Sequence, residues 1–420
     1  MDRTAPLSVL HFSSWKVRCG IADYTADLVG GLNRHGVSNT AVPIEAAQNK
    51  TMSQAEMLRQ YADLAKQARD HDLVHIQHEY SFFSAASMTQ ANTNFAICLD
   101  GIVKTGKPVV ITFHSEPPPG VASAFKAPLG LKARIKRKIK KTLLKAVGRA
   151  KEPLPELDAV AIFNRHRDNF QAIVHTRRTR MSKMMLGYAG EHISVVPMGY
   201  KPRSNGIFID KAEAKRRLNL PADCKLLSLF GFISRYKGPH VAASALRLLP
   251  PDYHLALVGG LHPNSTEPIL NEVLKIWHNQ DPNRLKITGY LPEPEVDLWQ
   301  AATDISLAPY LEIGMSGSAG ITWAISSGKP VIASKTVTFR EIQEDSDAML
   351  MVAPNSPYEL AWQIKRLTES PEMAADLVRK AQAYADDCSW ERTAERVINI
   401  YKQFPSVAPA TLPLPLRRAA

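Results

Sequence analysis

The chain is poor in the residues that staple or span. Its 420 residues hold four cysteines, Cys19, Cys98, Cys224 and Cys388, and no two of them form a CxxC pair. The sequence therefore predicts neither a zinc site nor a disulfide framework, and it fits a reducing compartment. It has no apolar run of about 18 residues, so no transmembrane helix is expected. The opening Met1-Asp-Arg-Thr-Ala-Pro-Leu-Ser-Val-Leu is too short in its apolar part for a secretory signal. A cytoplasmic protein is the expectation. No GxGxxG follows a strand, which argues against a dinucleotide oxidoreductase, and there is no Walker A sequence. No DxD triplet stands in a loop suited to a metal, so neither a metal nor a cofactor is expected.

Acidic residues are missing from one stretch altogether. Between Lys126 and Lys151 stand Lys132, Arg134, Lys136, Arg137, Lys138, Lys140, Lys141, Lys145 and Arg149. Leu129, Leu131, Ile135, Ile139, Leu143, Leu144 and Val147 recur among them at helical spacing. This reads as a basic amphipathic helix and accounts for much of the net charge of +12. Such a helix suits an anionic membrane surface or an anionic acceptor, on the inner face of the membrane. A solvated helix face is the plain alternative. Nucleic acid is disfavoured because no aromatics are interleaved.

What is present is the make-up of a soluble globular protein, 45% hydrophobic and 22% charged, long enough for two domains. Short apolar strands alternate with helices from Leu7-Ser-Val-Leu-His-Phe onward, the pattern of a parallel sheet wrapped by helices. In the first half, strands are expected at 37–43, 73–78, 107–114, 157–164 and 193–199. Tyr200-Lys-Pro-Arg-Ser-Asn-Gly206 has a loop composition and marks a boundary. The pattern then restarts, with strands at 225–230, 253–260, 285–290, 305–309, 331–333 and 348–352. The expected domains are 1–200 and 207–388. A last helix follows at 389–404, then a proline-bearing tail at 405–420 that predicts disorder.

The second half turns on Glu312-Ile-Gly-Met-Ser-Gly-Ser-Ala-Gly320 and the following Ile321 to Ser334. A Gly/Ser loop opening onto a helix start offers unpaired N–H groups and a positive dipole end to an anion. A diphosphate site is the functional reading and an ordinary strand-loop-helix joint the structural one. Arg235 and Lys237 lie in another loop before a helix. Two cations there suit a diphosphate leaving group, whose charge grows as its bond breaks. Surface basics are the alternative. His114 ends a strand, where it can bond a sugar hydroxyl, assist proton transfer or simply cap the strand. Glu116, before three prolines, reads as a loop charge. His75 and His78 are three apart in a strand and so point to opposite faces, which argues against a shared metal.

Together these residues resemble family 4 glycosyltransferases. The carriers are the Gly20-Ile-Ala loop, Thr112-Phe-His114, Ile193-Ser-Val-Val-Pro-Met-Gly199 and Gly231-Phe-Ile-Ser-Arg-Tyr-Lys-Gly238. Leu257-Val-Gly-Gly260, Ile287-Thr-Gly-Tyr-Leu-Pro292, Ser316 to Ser334 and Arg340-Glu-Ile342 complete the set. The resemblance implies an α/β chain with the GT-B fold, two Rossmann-like domains whose parallel sheets face across a cleft. It implies transfer of a sugar from a nucleotide diphosphate sugar to a polysaccharide or glycolipid acceptor, with retention at the anomeric carbon. By the resemblance Gly20 approaches the donor phosphate or the acceptor, and His114 contacts the transferring sugar. Arg235 and Lys237, after Gly231, neutralise the diphosphate. The Gly259-Gly260 turn and the Gly289-Tyr290 segment lie at the donor, the latter holding the base. Ser316, Gly317, Ser318, Ala319 and Gly320 present N–H groups to the phosphates, and the last helix crosses back to the first domain.

The chain departs from the family pattern at two places. The usual arginine after the phosphate-loop glycine is Phe232. The usual pair of glutamates eight apart falls on Met315 and Trp323, or on Glu312 and Gly320, depending on the anchor, so Glu312 is the one acid left for a catalytic part. Two other readings stay open: an inactive relative that binds a nucleotide-sugar or glycan, and a nucleotide-sugar epimerase of the same fold drawing on Glu79 or Glu116.

Overall fold

The computed structural model describes residues 6–45, 52–84, 87–116, 158–201, 209–261, 268–311 and 317–407. The basic stretch 126–151 and residues 408–420 of the tail lie outside them. The chain packs into two units. One holds 1–25, 32–195 and 398–420, the other 26–31 and 196–397.

The first unit is a six-stranded sheet in the order β2-β1-β3-β4-β5-β6. Its strands are β1 (Ser8–Ser13), β2 (Ser38–Pro43), β3 (Leu73–His78), β4 (Val109–Phe113), β5 (Phe170–Val174) and β6 (Ile193–Val195). Every pairing is parallel. Its helices are α1 (Gly20–Arg34, its residues 26–31 counted with the second unit), α2 (Gln54–Ala68), α3 (Tyr80–Phe83), α4 (Met88–Val103), α5 (Ala159–Arg165) and α6 (Arg177–Met185). β3, β4 and β5 are buried along their whole length, as strands covered on both faces must be. Ser53 opens α2 with a reciprocal capping box to Glu56, which fixes where that helix begins.

One expected strand is a helix. The run 157–164 forms α5, and the fifth strand is Phe170–Val174 instead. Asp158 accepts a hydrogen bond from the Val160 N–H and so caps the helix, and Ala159, Ile162 and Phe163 bury one helical face. A short apolar run carries both periods, and the cap decides between them.

The second unit repeats the architecture in the order β12-β11-β10-β7-β8-β9. Its strands are β7 (Lys225–Phe230), β8 (Tyr253–Val258), β9 (Leu285–Ile287), β10 (Ile305–Ala308), β11 (Val331–Ser334) and β12 (Met349–Val352), again all parallel. Around them lie α7 (Lys211–Arg217), α8 (Pro239–Leu246), α9 (Ile269–Ile276), α10 (Glu293–Ala302), α11 (Ala319–Ser326), α12 (Val337–Ser346), α13 (Pro357–Glu369) and α14 (Pro371–Asp387). A last helix, α15 (Trp390–Tyr401), follows. Strand order reverses at β7 and β10, the place where open parallel sheets take ligands. No helix among the described residues is long and apolar enough to cross a membrane.

Candidate functional site

β7 and β10 are hydrogen-bonded neighbours, and beyond them the Leu311 N–H donates to the Tyr236 carbonyl at 2.6 Å. Gly231 follows β7 directly, and its φ of +95° is a conformation that favours glycine. A methyl group there would sit 2.6 Å from Lys237 Nζ. Lys237 closes the short turn Arg235–Lys237 that precedes α8, and its side chain is buried. Burial alone lowers its pKa to about 8, with no neighbouring charge contributing. Among the described residues no acceptor is paired with its ammonium.

The other wall is the start of α11. A methyl on Gly320 would lie 2.3 Å from the Tyr310 hydroxyl, 3.2 Å from the Phe230 carbonyl and 3.6 Å from Lys237 Nζ. Ser318 does not cap the helix with its side chain; its hydroxyl donates to Tyr310 at 3.2 Å. The first-turn N–H groups of Ala319 and Gly320 therefore have no carbonyl within the helix to bond. A buried cation, a glycine loop and a helix start converge here, the arrangement that suits an oxyanion. Gly231, Lys237, Ser318, Ala319 and Gly320 belong to this one place, and Gly317 directly precedes Ser318.

Gly259 stacks directly beneath it. A methyl on Gly259 would meet the Gly231 carbonyl at 2.3 Å. Gly259 bridges Gly289, and its N–H donates to Thr288 Oγ1 at 3.0 Å. The Gly260 carbonyl accepts from the Ile233 N–H at 2.8 Å. The Gly231 loop is thus laced to the ends of β8 and β9. Space beside Gly289 is open, and the Tyr290 ring is exposed.

Arg235 differs from Lys237. Its side chain is half exposed, and its guanidinium forms an ion pair with Glu272 of α9. Glu312 and Ser316 lie outside the described residues.

His114 and Gly20 belong to the first unit. The His114 N–H continues the sheet by donating to the His78 carbonyl at 3.0 Å, and its Nε2 is 2.8 Å from Gln77 Oε1. Its ring meets Tyr24 edge-on at 4.8 Å and lies 5.3 Å from the ring of His175. Burial, and then His175, hold its pKa well below the usual histidine value, so it is neutral at physiological pH. Gly20 is the first residue of α1, with open space beside it.

The sequence misjudged one residue, Glu116, and missed two, Lys183 and Tyr310. Glu116 is no loop charge: its carboxylate is buried, accepts from Thr179 Oγ1 at 3.0 Å and faces Arg178 Nε at 3.7 Å. Lys183 of α6 is fully buried, with Nζ 4.0 Å from the centroid of the Phe113 ring. It donates to the Ser115 carbonyl at 3.3 Å and the Tyr80 hydroxyl at 3.4 Å. Burial lowers its pKa to about 7, against the pull of Glu79 and Glu116. For Tyr310 the available signal was its place just after β10 and Pro309. His75 is occupied by Tyr401 at 2.6 Å and Thr112 at 2.8 Å, and His78 packs among Phe83, Phe95 and Phe113. No group of three metal-ligating side chains occurs among the described residues.

Residues 210–384 match the family model for glycosyl transferases group 1, and they contain the whole phosphate-type site just described. Over this stretch the chain is similar to the group 1 glycosyl transferases. The chain is 30% identical over 230 residues to a D-inositol 3-phosphate glycosyltransferase of Acidothermus cellulolyticus, covering 52% of this chain and 49% of that one. A protein of the same description from Thermomonospora curvata is 26% identical over 234 residues, 52% of this chain and 53% of the other. The chain spans about half the length of the curated relatives it matches. HepE of Anabaena, solved in complex with UDP-glucose, superposes with a TM-score of 0.65 at 17% identity, over 94% of this chain and 98% of that one. WaaG, a glycosyltransferase involved in lipopolysaccharide biosynthesis, gives 0.57 at 14% identity, over 94% and 99%. The fold shared with these two structures is GT-B, with two Rossmann-like α/β units.

Proposed function

We propose that the protein is a retaining, metal-independent glycosyltransferase that moves a hexose from a nucleotide diphosphate sugar to a polysaccharide or glycolipid acceptor. One observation carries this reading: Lys237 Nζ lies against both Gly231 and Gly320, beside the first turn of α11, a combination of cation and helix start that suits a diphosphate. The ammonium and the helix dipole stabilise the charge that builds on the leaving group as the glycosidic bond breaks. Arg235 is a second cation of the same loop. His114, neutral and anchored by Gln77, contacts the sugar hydroxyls as a hydrogen-bonding group. Gly289 leaves room for a flat base, and Tyr290 flanks it. Glu312 remains the acid assigned to the donor by the resemblance. No cofactor is required. The complex of HepE with UDP-glucose makes UDP the first nucleotide to test. On its composition the basic stretch 126–151 supports contact with an anionic membrane surface, in keeping with a cytoplasmic peripheral protein.

The test is a panel of nucleotide diphosphate sugars, screened by thermal shift against the purified full chain and then assayed for nucleotide release. A stabilising donor that is also turned over supports the proposal, and His114→Ala should cut that turnover about tenfold or more with little change in donor affinity. Binding without turnover under any acceptor supports the inactive relative. Interconversion of free donors supports the epimerase. No binding at all sinks the diphosphate reading.

A further inference from the structure

α13 buries Leu360, Ala361, Gln363, Ile364 and Leu367 against its own unit. Its exposed residues fall on one ridge: Tyr358, Trp362, Arg366 and Glu369. Tyr358 is 75% and Trp362 58% exposed, the two most exposed aromatic side chains described. Arg366 stands 5.7 Å from the centre of the Trp362 ring and touches Gln363 only at 3.4 Å. An exposed tryptophan, tyrosine and arginine in a row is the make-up of an interface centre rather than of a solvated helix face, which carries lysines and glutamates.

The order of the four residues selects the partner. From N- to C-terminus the ridge reads aromatic, aromatic, cation, anion. Laid antiparallel on a second copy of itself about a two-fold axis midway between Trp362 and Arg366, it sets Trp362 of each copy against Arg366 of the other. The same operation brings Tyr358 opposite Glu369, phenol donor to carboxylate acceptor. Both pairings occur twice, as an isologous contact demands, and the central one is a cation–π pair. A parallel arrangement would set Arg366 against Arg366 and Glu369 against Glu369, which like charge opposes. We infer that the exposed ridge of α13 is the contact through which two copies of this chain form a two-fold dimer. The inference is independent of the proposed reaction.

Sedimentation velocity on the full chain over a concentration series tests it. A reversible monomer–dimer equilibrium is expected, with W362E monomeric throughout and R366E weakening association at least about tenfold. Both side chains are exposed, so the melting temperature of each variant should match the parent and exclude misfolding as the cause. A parent that stays monomeric at every concentration overturns the inference. So does a dimer that W362E leaves intact.

Discussion

Lys237 Nζ occupies the space where a side chain on Gly231 would begin: a methyl there would lie 2.6 Å from the ammonium. Glycine at 231 and lysine at 237 are therefore one feature. Gly231→Ala should displace the ammonium and strain a backbone at φ +95°. Nucleotide affinity should fall about tenfold or more, with about 1–3 kcal/mol of stability lost to the strained backbone. Calorimetric titration with UDP, beside a denaturant melt, reads both. Unchanged affinity would show that Lys237 does not touch the ligand.

Lys237 should give nucleotide binding a pH dependence of known sign. Its pKa of about 8 leaves it charged below that value and neutral above it. Affinity for UDP should weaken as pH rises through about 8, by up to about tenfold per pH unit. Lys237→Met should remove this slope and cut turnover by about ten- to a thousandfold. A slope that survives in the variant assigns it to another group.

Arg235 should matter less than Lys237. Its guanidinium is half exposed and already engaged by Glu272, so screening and competition both weaken its pull on a ligand. Arg235→Ala should lower kcat/KM several-fold at most, about tenfold less than the Lys237 variant does. Glu272→Ala should make donor binding tighter and more sensitive to salt. Equal losses from Arg235→Ala and Lys237→Ala would promote Arg235 to an equal partner.

Lys183 should mark the stability curve. Its pKa is about 7 in the folded chain, below the ordinary lysine value of 10.5. Between those values the unfolded chain binds the extra proton, so the lysine's contribution becomes more favourable as pH rises. Relative to Lys183→Met, the parent should gain melting temperature from pH 7 upward. Parallel curves for the two proteins would place the lysine's pKa near its ordinary value.

Much of the site could be read along the chain because its parts are short loops between strand and helix. Gly231, Lys237 and Gly317 to Gly320 are marked by glycine, serine and a cation before a helix, local signals with local causes. Glu116 and Lys183 gave no such signal. One looked like a loop charge, and the other sits among the arginines and methionines of α6. Only the approach of α6 to the end of β4 buries them and makes them partners of Thr179, Ser115 and Tyr80. The helix at 159–165 was misread for a related reason, since its apolar run fits either period until Asp158 is seen capping it.

By itself the sequence determined two α/β halves, their parallel strands and the loops that bear the glycines, because strand burial and helix capping act over a few residues. Tertiary structure decided which cation meets the helix start. Arg235 and Lys237 are two positions apart, yet one is turned to Glu272 and the other lies buried beside Gly231 and Gly320. That choice depends on the packing of α9 and α11 around β7 and β10, contacts between segments far apart in the chain, which no local pattern encodes.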